Sequence, residues 1–394
     1  MKYCIIGSGI IGSAIAREIA LRGIGDVEVI EKEEGLGKHA SGRNSEVIHS
    51  GINQKPGTYK AKFCLEGSKM LREYCLSHGV PMEECGTIVT ANSEKEIEAL
   101  NHIYNLGKQV GVPGIRIISK SELTEREPYA KGLEALLSPS GAILDSKSLL
   151  EEVMEDAVSA GAIYSFGEKV LDISGGKIIT EKSEINADKI INCTGLNADR
   201  IAHIMGVGKD YFIIPIRGDY LQVPLEVSSM IYQVPDLRFP FLGVHLTKKV
   251  NGGVIAGPTA SLSLGGREDY DRKKGVLGLS EMICEPSFWR WGIDSLLDQA
   301  KLEQIVYNVK LSNSQNFFVE EIEKIYSGPI DSKKISPYRS GIRAQLVNSK
   351  GIMIDDFLIE ETENSIHVLN TVSPGLTSSL AFAKHIVDKY IEKK

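Results

Sequence analysis

An α/β fold with a second, inserted α+β unit built on an antiparallel sheet is what this sequence predicts, and three observations predict it. The first 31 residues run strand, glycine-rich turn, helix, strand. Strand-like runs ending in glycine-containing turns return near residues 185–199 and 365–377. The region between carries alternating runs that read as antiparallel strands. With 394 residues, 42% of them hydrophobic, the chain can bury the cores of two domains.

The first element is the sharpest. KYCII reads as a short apolar strand, Gly7-Ser8-Gly9-Ile10-Ile11-Gly12 follows, SAIAREIALRG has helical spacing, and VEVIE alternates as a second strand ending on Glu31. This is a Rossmann-like βαβ unit with G-x-G-x-x-G at its first turn and an acid 19 residues beyond the last glycine. Gly7 permits the tight turn, Gly9 lets backbone approach a pyrophosphate, and Gly12 lets helix and strand pack closely. The helix N-terminus offers N–H groups and partial positive charge to the phosphates, and Glu31 is placed to accept from ribose hydroxyls. A dinucleotide cofactor is expected.

The next stretch separates flavin from nicotinamide. The second strand runs into EKEEGLGKHASGRNSEVIHSG, a polar, glycine-rich loop, where a nicotinamide enzyme would continue with regular βα units. In INADKIINCTGLNAD a strand leads to Cys193-Thr194-Gly195, a turn able to bring backbone amides to a phosphate. SIHVLNTVSPGLTSSLAFAKHIVDKYI reads as a strand, the breaker pair Pro374-Gly375, and a terminal helix from near Leu376 whose N-terminus suits a negatively charged reduced flavin. Between these, IIPIRGDYLQV and SSMIYQV alternate like strands, while ALNHIYNLGKQVG and FWRWGIDSLLDQAKLEQIV have helical spacing.

Composition excludes other classes. A net charge of -7 with no basic block argues against nucleic acid or an anionic membrane as partner. The six cysteines form no C-x-x-C pair and no metal-spaced cluster, so they read as reduced thiols in a cytoplasmic protein. Arg17 and Glu18 interrupt the N-terminal apolar run, which reads as structure and not as a leader. No stretch reaches the roughly 18 apolar residues of a membrane span. Peripheral membrane contact stays open through Trp289 and Trp291 in SFWRWGID, although burial is the favoured reading of that segment.

Together these pieces resemble the FAD-dependent oxidoreductases of the D-amino-acid oxidase type. That resemblance implies a discontinuous FAD-binding domain of residues 1–85, 141–213 and 335–394, and a substrate domain of 86–140 and 214–334. More closely, NSEVIHSG with KPG behind it, IRGDYLQV, PFLGVHLT then GPTA, GIRAQ, IDDF and SPGLTSSLA fall in the order of the L-2-hydroxyglutarate oxidase and dehydrogenase family. The resemblance spans nearly the whole chain. It implies FAD, held non-covalently, and oxidation of a small L-2-hydroxy acid, first of all L-2-hydroxyglutarate to 2-oxoglutarate, with electrons leaving to a quinone or to O2. The cofactor residues it implies are Gly7, Gly9, Gly12, Glu31, Arg43, Asn44, Ser45, Val170, Thr194, Gly195, Pro374, Gly375, Leu376 and Thr377. Glycerol 3-phosphate or an amino acid as donor, and a non-catalytic flavin-binding role, remain alternatives.

Oxidising a 2-hydroxy acid needs a base for the hydroxyl proton, a hydride acceptor, and a fixed carboxylate. His49 is the first candidate base, because imidazole titrates near neutrality, and His245 is its rival; either could instead be a structural histidine. Arg343 is the first carboxylate anchor, with Arg217, Tyr220, Arg238 and Lys55 behind it. His39 stands near the position of covalent flavin attachment in some relatives, an attachment not expected here. The loop departs from the family in three places: Glu46 where a glycine is expected, and Asn53 and Gln54 where two tyrosines are. A carboxylate at 46 pointing inwards would repel a diacid.

Overall fold

The computed structural model describes residues 1–235 and 243–393. Strand β1 (Lys2–Ile6), helix α1 (Ile10–Arg22) and strand β2 (Asp26–Glu31) form the expected βαβ unit. They belong to a six-stranded sheet in the spatial order Leu358–Glu361, Ser365–Asn370, Lys189–Asn192, β1, β2, Ile163–Phe166. All neighbours are parallel except the first pair. β1 is apolar along its length because it is covered on both faces. On one side α1 and the helices Tyr59–His78, Ser146–Ser159 and Gly375–Ile386 contribute Ile15, Phe63, Leu149 and Phe382 to a common core. On the other, Ile173, Ile178 and Ile185 of a small antiparallel sheet cover Cys4, Ile6, Ile30 and Ile190.

The second layer is a nine-stranded sheet, in the order Ser261–Leu262, Tyr211–Val223, Val254–Gly257, His245–Lys248, Met230–Gln233, Thr87–Ala91, Glu134–Ser138, Arg116–Ser119. Strand Ser336–Asn348 pairs with Tyr211–Val223 along almost its whole length. Sequence grouped residues 335 onward with the flavin unit, but two thirteen-residue strands of matching alternation satisfy each other's backbone groups in this sheet. Every pairing in it is antiparallel apart from that of Met230–Gln233 with Thr87–Ala91. Leu311, Phe318 and Ile322 of two helices close one face over Ile231, Leu246 and Ala256. The opposite face looks toward the first layer.

The stretch FWRWGIDSLLDQAKLEQIV, read as one helical pattern, forms two helices, Pro286–Leu297 and Gln299–Asn313. Asp298 separates them, its carboxylate accepting from the N–H groups of Ala300 and Lys301 as an N-cap. Trp291 packs on Phe288 and is partly buried, while Trp289 is 53% exposed.

Candidate active site

A cavity of about 2090 Å³ opens between the two layers, at the carboxyl ends of β1, β2 and Lys189–Asn192. That is where open α/β sheets bind ligands, and the space exceeds what one small molecule needs. Its inner end is a backbone cradle. Gly7 has φ +103°, and its N–H donates to the Ile30 carbonyl at 2.8 Å. A Cβ there would stand 2.7 Å from the Cys193 carbonyl oxygen, and one on Gly12 would collide with the carbonyl of Gly7. Gly9 faces the cavity, where a Cβ would meet only Ser41 Oγ among the described residues. A backbone left bare at a helix N-terminus is what a pyrophosphate requires. Glu31 accepts from Ser8 N and Ser8 Oγ, each at 3.0 Å, and from Glu33 N at 3.1 Å. Its carboxylate retains acceptor capacity on the cavity side. Val170, Thr194 and Gly195 line the same end, Thr194 being fixed by Asn192 Oδ1 at 3.2 Å from its N and 2.7 Å from its Oγ1. Pro374, Gly375 and Leu376 line it at the start of the last helix.

The other end is polar and lined by titratable side chains. His245 opposes Gly257 across the sheet, and Tyr220 follows in the same row, next to the Leu221–Ala256 pair. Tyr232 stacks on His245 with ring centroids 4.2 Å apart. Arg343 comes from the strand Ser336–Asn348, opposite Ile216. His49 enters from the loop side, its N–H donating to Thr377 Oγ1 at 3.0 Å and its carbonyl accepting from Cys64 Sγ at 3.5 Å. Burial, and then the Arg343 guanidinium, push the His49 imidazole down to about 4. Burial also brings His245 down to about 4. His245 Nδ1 lies 3.1 Å from the Gly243 carbonyl. In a neutral ring that nitrogen must be the donor, which leaves Nε2 with the lone pair. Two neutral imidazoles and a guanidinium thus face one space.

The profile of the FAD dependent oxidoreductase family matches residues 2–389. The chain belongs to that family. As a FAD dependent oxidoreductase its cofactor is FAD. It is 36% identical over 398 residues to the L-2-hydroxyglutarate dehydrogenase of Indibacter alkaliphilus, covering 96% of each chain. It is 32% identical to that of Escherichia coli K12, covering 98% of this chain and 92% of that one. Its fold is similar to that of L-alpha-glycerophosphate oxidase from Mycoplasma pneumoniae solved with FAD bound, with a TM-score of 0.75, 21% identity and coverage of 98% and 94%.

Several expected site residues of this FAD dependent oxidoreductase have other partners. Arg217 is buried with Nε on Asp219 (2.8 Å), Nη1 on the Asp269 carbonyl (2.6 Å) and Nη2 on Ser340 Oγ (2.6 Å), so its guanidinium braces the wall it was expected to offer to a carboxylate. Arg43 donates to the carbonyls of Lys38 and Ser340 and stacks on Tyr270, holding the loop to the second layer. Asn44 bridges Ala40, Ser41 and Glu46 within the loop. Ser45 lines the cavity beside Tyr220. Thr377 is fully buried and, besides holding His49, donates to the Val47 carbonyl, so it acts on the loop and does not line the cavity. Lys55 is exposed and paired with Asp355 at 3.5 Å. Arg238 lies outside the described residues.

His39 has both ring nitrogens engaged, Nδ1 on Tyr270 at 2.7 Å and Nε2 on Glu33 at 3.0 Å. Glu33, His39 and Glu268 cluster closely enough to hold a cation, and the Lys32 ammonium already bridges the two carboxylates. Glu46 takes φ +63°, the left-handed region that favours glycine, and its carboxylate pairs with Arg339 at 2.9 Å, away from the cavity. Its charge is offset by Arg339, although it still reaches Tyr220 in the cavity wall. Asn53 and Gln54 do line the cavity. Sequence reasoning missed Tyr232, Lys60 and Asp355. Lys60 had a signal, being a charge on the same helical stripe as Phe63, Cys64, Gly67 and Leu71.

Proposed function

We propose that this protein oxidises L-2-hydroxyglutarate to 2-oxoglutarate. The observation that carries the reading is the pair of neutral, buried imidazoles beside Arg343 in the same cavity as the dinucleotide cradle; the names of its full-length relatives support the choice of acid. Arg343 holds the carboxylate next to the reacting carbon, a bidentate contact that orients the hydroxyl and the C–H bond. His49 takes the hydroxyl proton, its backbone fixed at both N–H and C=O by Thr377 and Cys64 so that the ring is delivered to one place. Tyr220, buried against Ser45, closes the pocket on the sheet side. Bound FAD supplies the hydride acceptor. Electrons then leave to a quinone or to O2.

A second reading makes His245 the base, favoured by the Gly243 contact that fixes its tautomer. His49→Ala and His245→Ala, each with flavin retained, decide between them by which one abolishes reduction. The function itself is tested by adding donors anaerobically to the purified holoprotein. L-2-hydroxyglutarate should bleach the flavin absorbance, with the D-enantiomer, glycerol 3-phosphate and amino acids inert. Bleaching only by another donor replaces the substrate, and bleaching by none overturns the enzymatic reading. Mixing the reduced protein with a soluble quinone or with O2, and comparing reoxidation rates, identifies the acceptor.

A further inference from the structure

We propose that Lys60 anchors the second, distal carboxylate of the substrate and so selects dicarboxylic over monocarboxylic 2-hydroxy acids. The inference rests on the 2-hydroxy-acid reading above. Lys60 opens the helix Tyr59–His78 on its buried stripe, its side chain is 11% exposed, and it lines the cavity. A lysine so placed requires anionic company. It has Asp355 at 3.0 Å, but that carboxylate is 56% exposed and shared with Lys55. The adjacent Asp356 is occupied in capping the helix, accepting from the N–H groups of Tyr59 and Lys60 at 2.9 Å each.

Lys60 also stands near a second cation of the same cavity, since the Arg343 charge works against its ammonium. Arg343 is felt at His49 and His245 as well. Arg343 is thus within electrostatic reach of both the histidines and Lys60, and all four side chains line one cavity. A diacid with its reacting carbon at the histidines places its near carboxylate on Arg343 and its far one toward Lys60. Glu46 is neutralised by Arg339, and the carboxylates nearest Lys60 are Asp355, shared with Lys55, and Asp356, held by the helix cap, so a bound carboxylate would compete with Asp355 for the ammonium.

The test compares L-2-hydroxyglutarate with L-2-hydroxypentanoate, which has the same chain without the second carboxylate. Lys60→Met should raise KM for the diacid about 10- to 100-fold, the loss of one charge-assisted contact, with kcat nearly unchanged. KM for the monoacid should stay within about twofold, because that substrate never made the contact. Lys60→Arg should recover part of the preference. Binding of glutarate and pentanoate, read as shifts of the flavin spectrum, should follow the same pattern. Equal losses for both acids, or an unchanged preference, overturn the assignment and make Lys60 structural. If Lys60→Met does not fold, Lys60→Gln carries the same comparison. Wild-type protein that oxidises neither acid overturns the reaction reading alone, since the glutarate and pentanoate measurement still tests Lys60.

Discussion

At His49 and His245 burial outweighs every other influence on the imidazole, and both are held near 4 where a free histidine has 6.5. The proton-accepting form therefore persists well below neutrality. The acid limb of kcat/KM should lie below pH 6.5, and a limb at 6.5 or above would show that neither ring is the titrating base. Arg343→Lys should raise KM for L-2-hydroxyglutarate with a smaller change in kcat, since lysine cannot reproduce a bidentate grip; an unchanged KM returns Arg343 to a structural role. That His49 lines the cavity was legible because it sits in a glycine-rich loop directly after the βαβ unit. Arg217 and Lys60 were not, because a guanidinium with buried partners and one facing a substrate look alike in sequence, and lysine is ordinarily solvated.

Helix Tyr59–His78 crosses helix Gly375–Ile386 at Gly67, where a Cβ would collide with the Thr377 carbonyl oxygen and lie 2.9 Å from Ser378 Cα. Two effects compete in Gly67→Ala. Helix propensity favours alanine by about 1 kcal/mol, while overpacking against backbone that cannot yield costs about 1–3 kcal/mol. The collision should win, lowering the urea midpoint, and because Thr377 holds His49 the turnover should fall as well. A raised midpoint would show that the helices can separate at no cost. At the cradle, Gly9→Val should abolish flavin binding, read as the flavin-to-protein absorbance ratio, because its side chain would occupy the phosphate path. Element type was readable from period and breakers, as β1, α1 and β2 demonstrate. The break at Asp298 was hidden because its neighbours keep helical spacing on both sides, and only the cap geometry ends one helix and starts the next.

Across the whole molecule three buried histidines couple folding to pH. His245 and His367 are almost fully buried, His49 is partly buried in the cavity wall, and all three are lowered to about 4 chiefly by burial. The unfolded chain binds protons at these sites first as pH falls. Their contribution is thus complete above pH 6.5 and lost between 6.5 and 4, on the order of 3 kcal/mol for each fully buried ring. Urea midpoints should fall steeply across that window, and a His367→Asn variant should show a shallower fall; a flat profile would mean that these rings protonate in place. By itself the sequence determined the flavin-binding βαβ unit, the class of cofactor and the loop that carries His49, because these depend on local period, turn chemistry and spacing. Tertiary structure decided that strand Ser336–Asn348 joins the nine-stranded sheet, that Glu46 turns to Arg339, that Arg217 is a brace and that Lys60 faces the cavity. A charged side chain's role is set by the partners that desolvate and pair it, and most of those partners lie tens to hundreds of residues away in the chain.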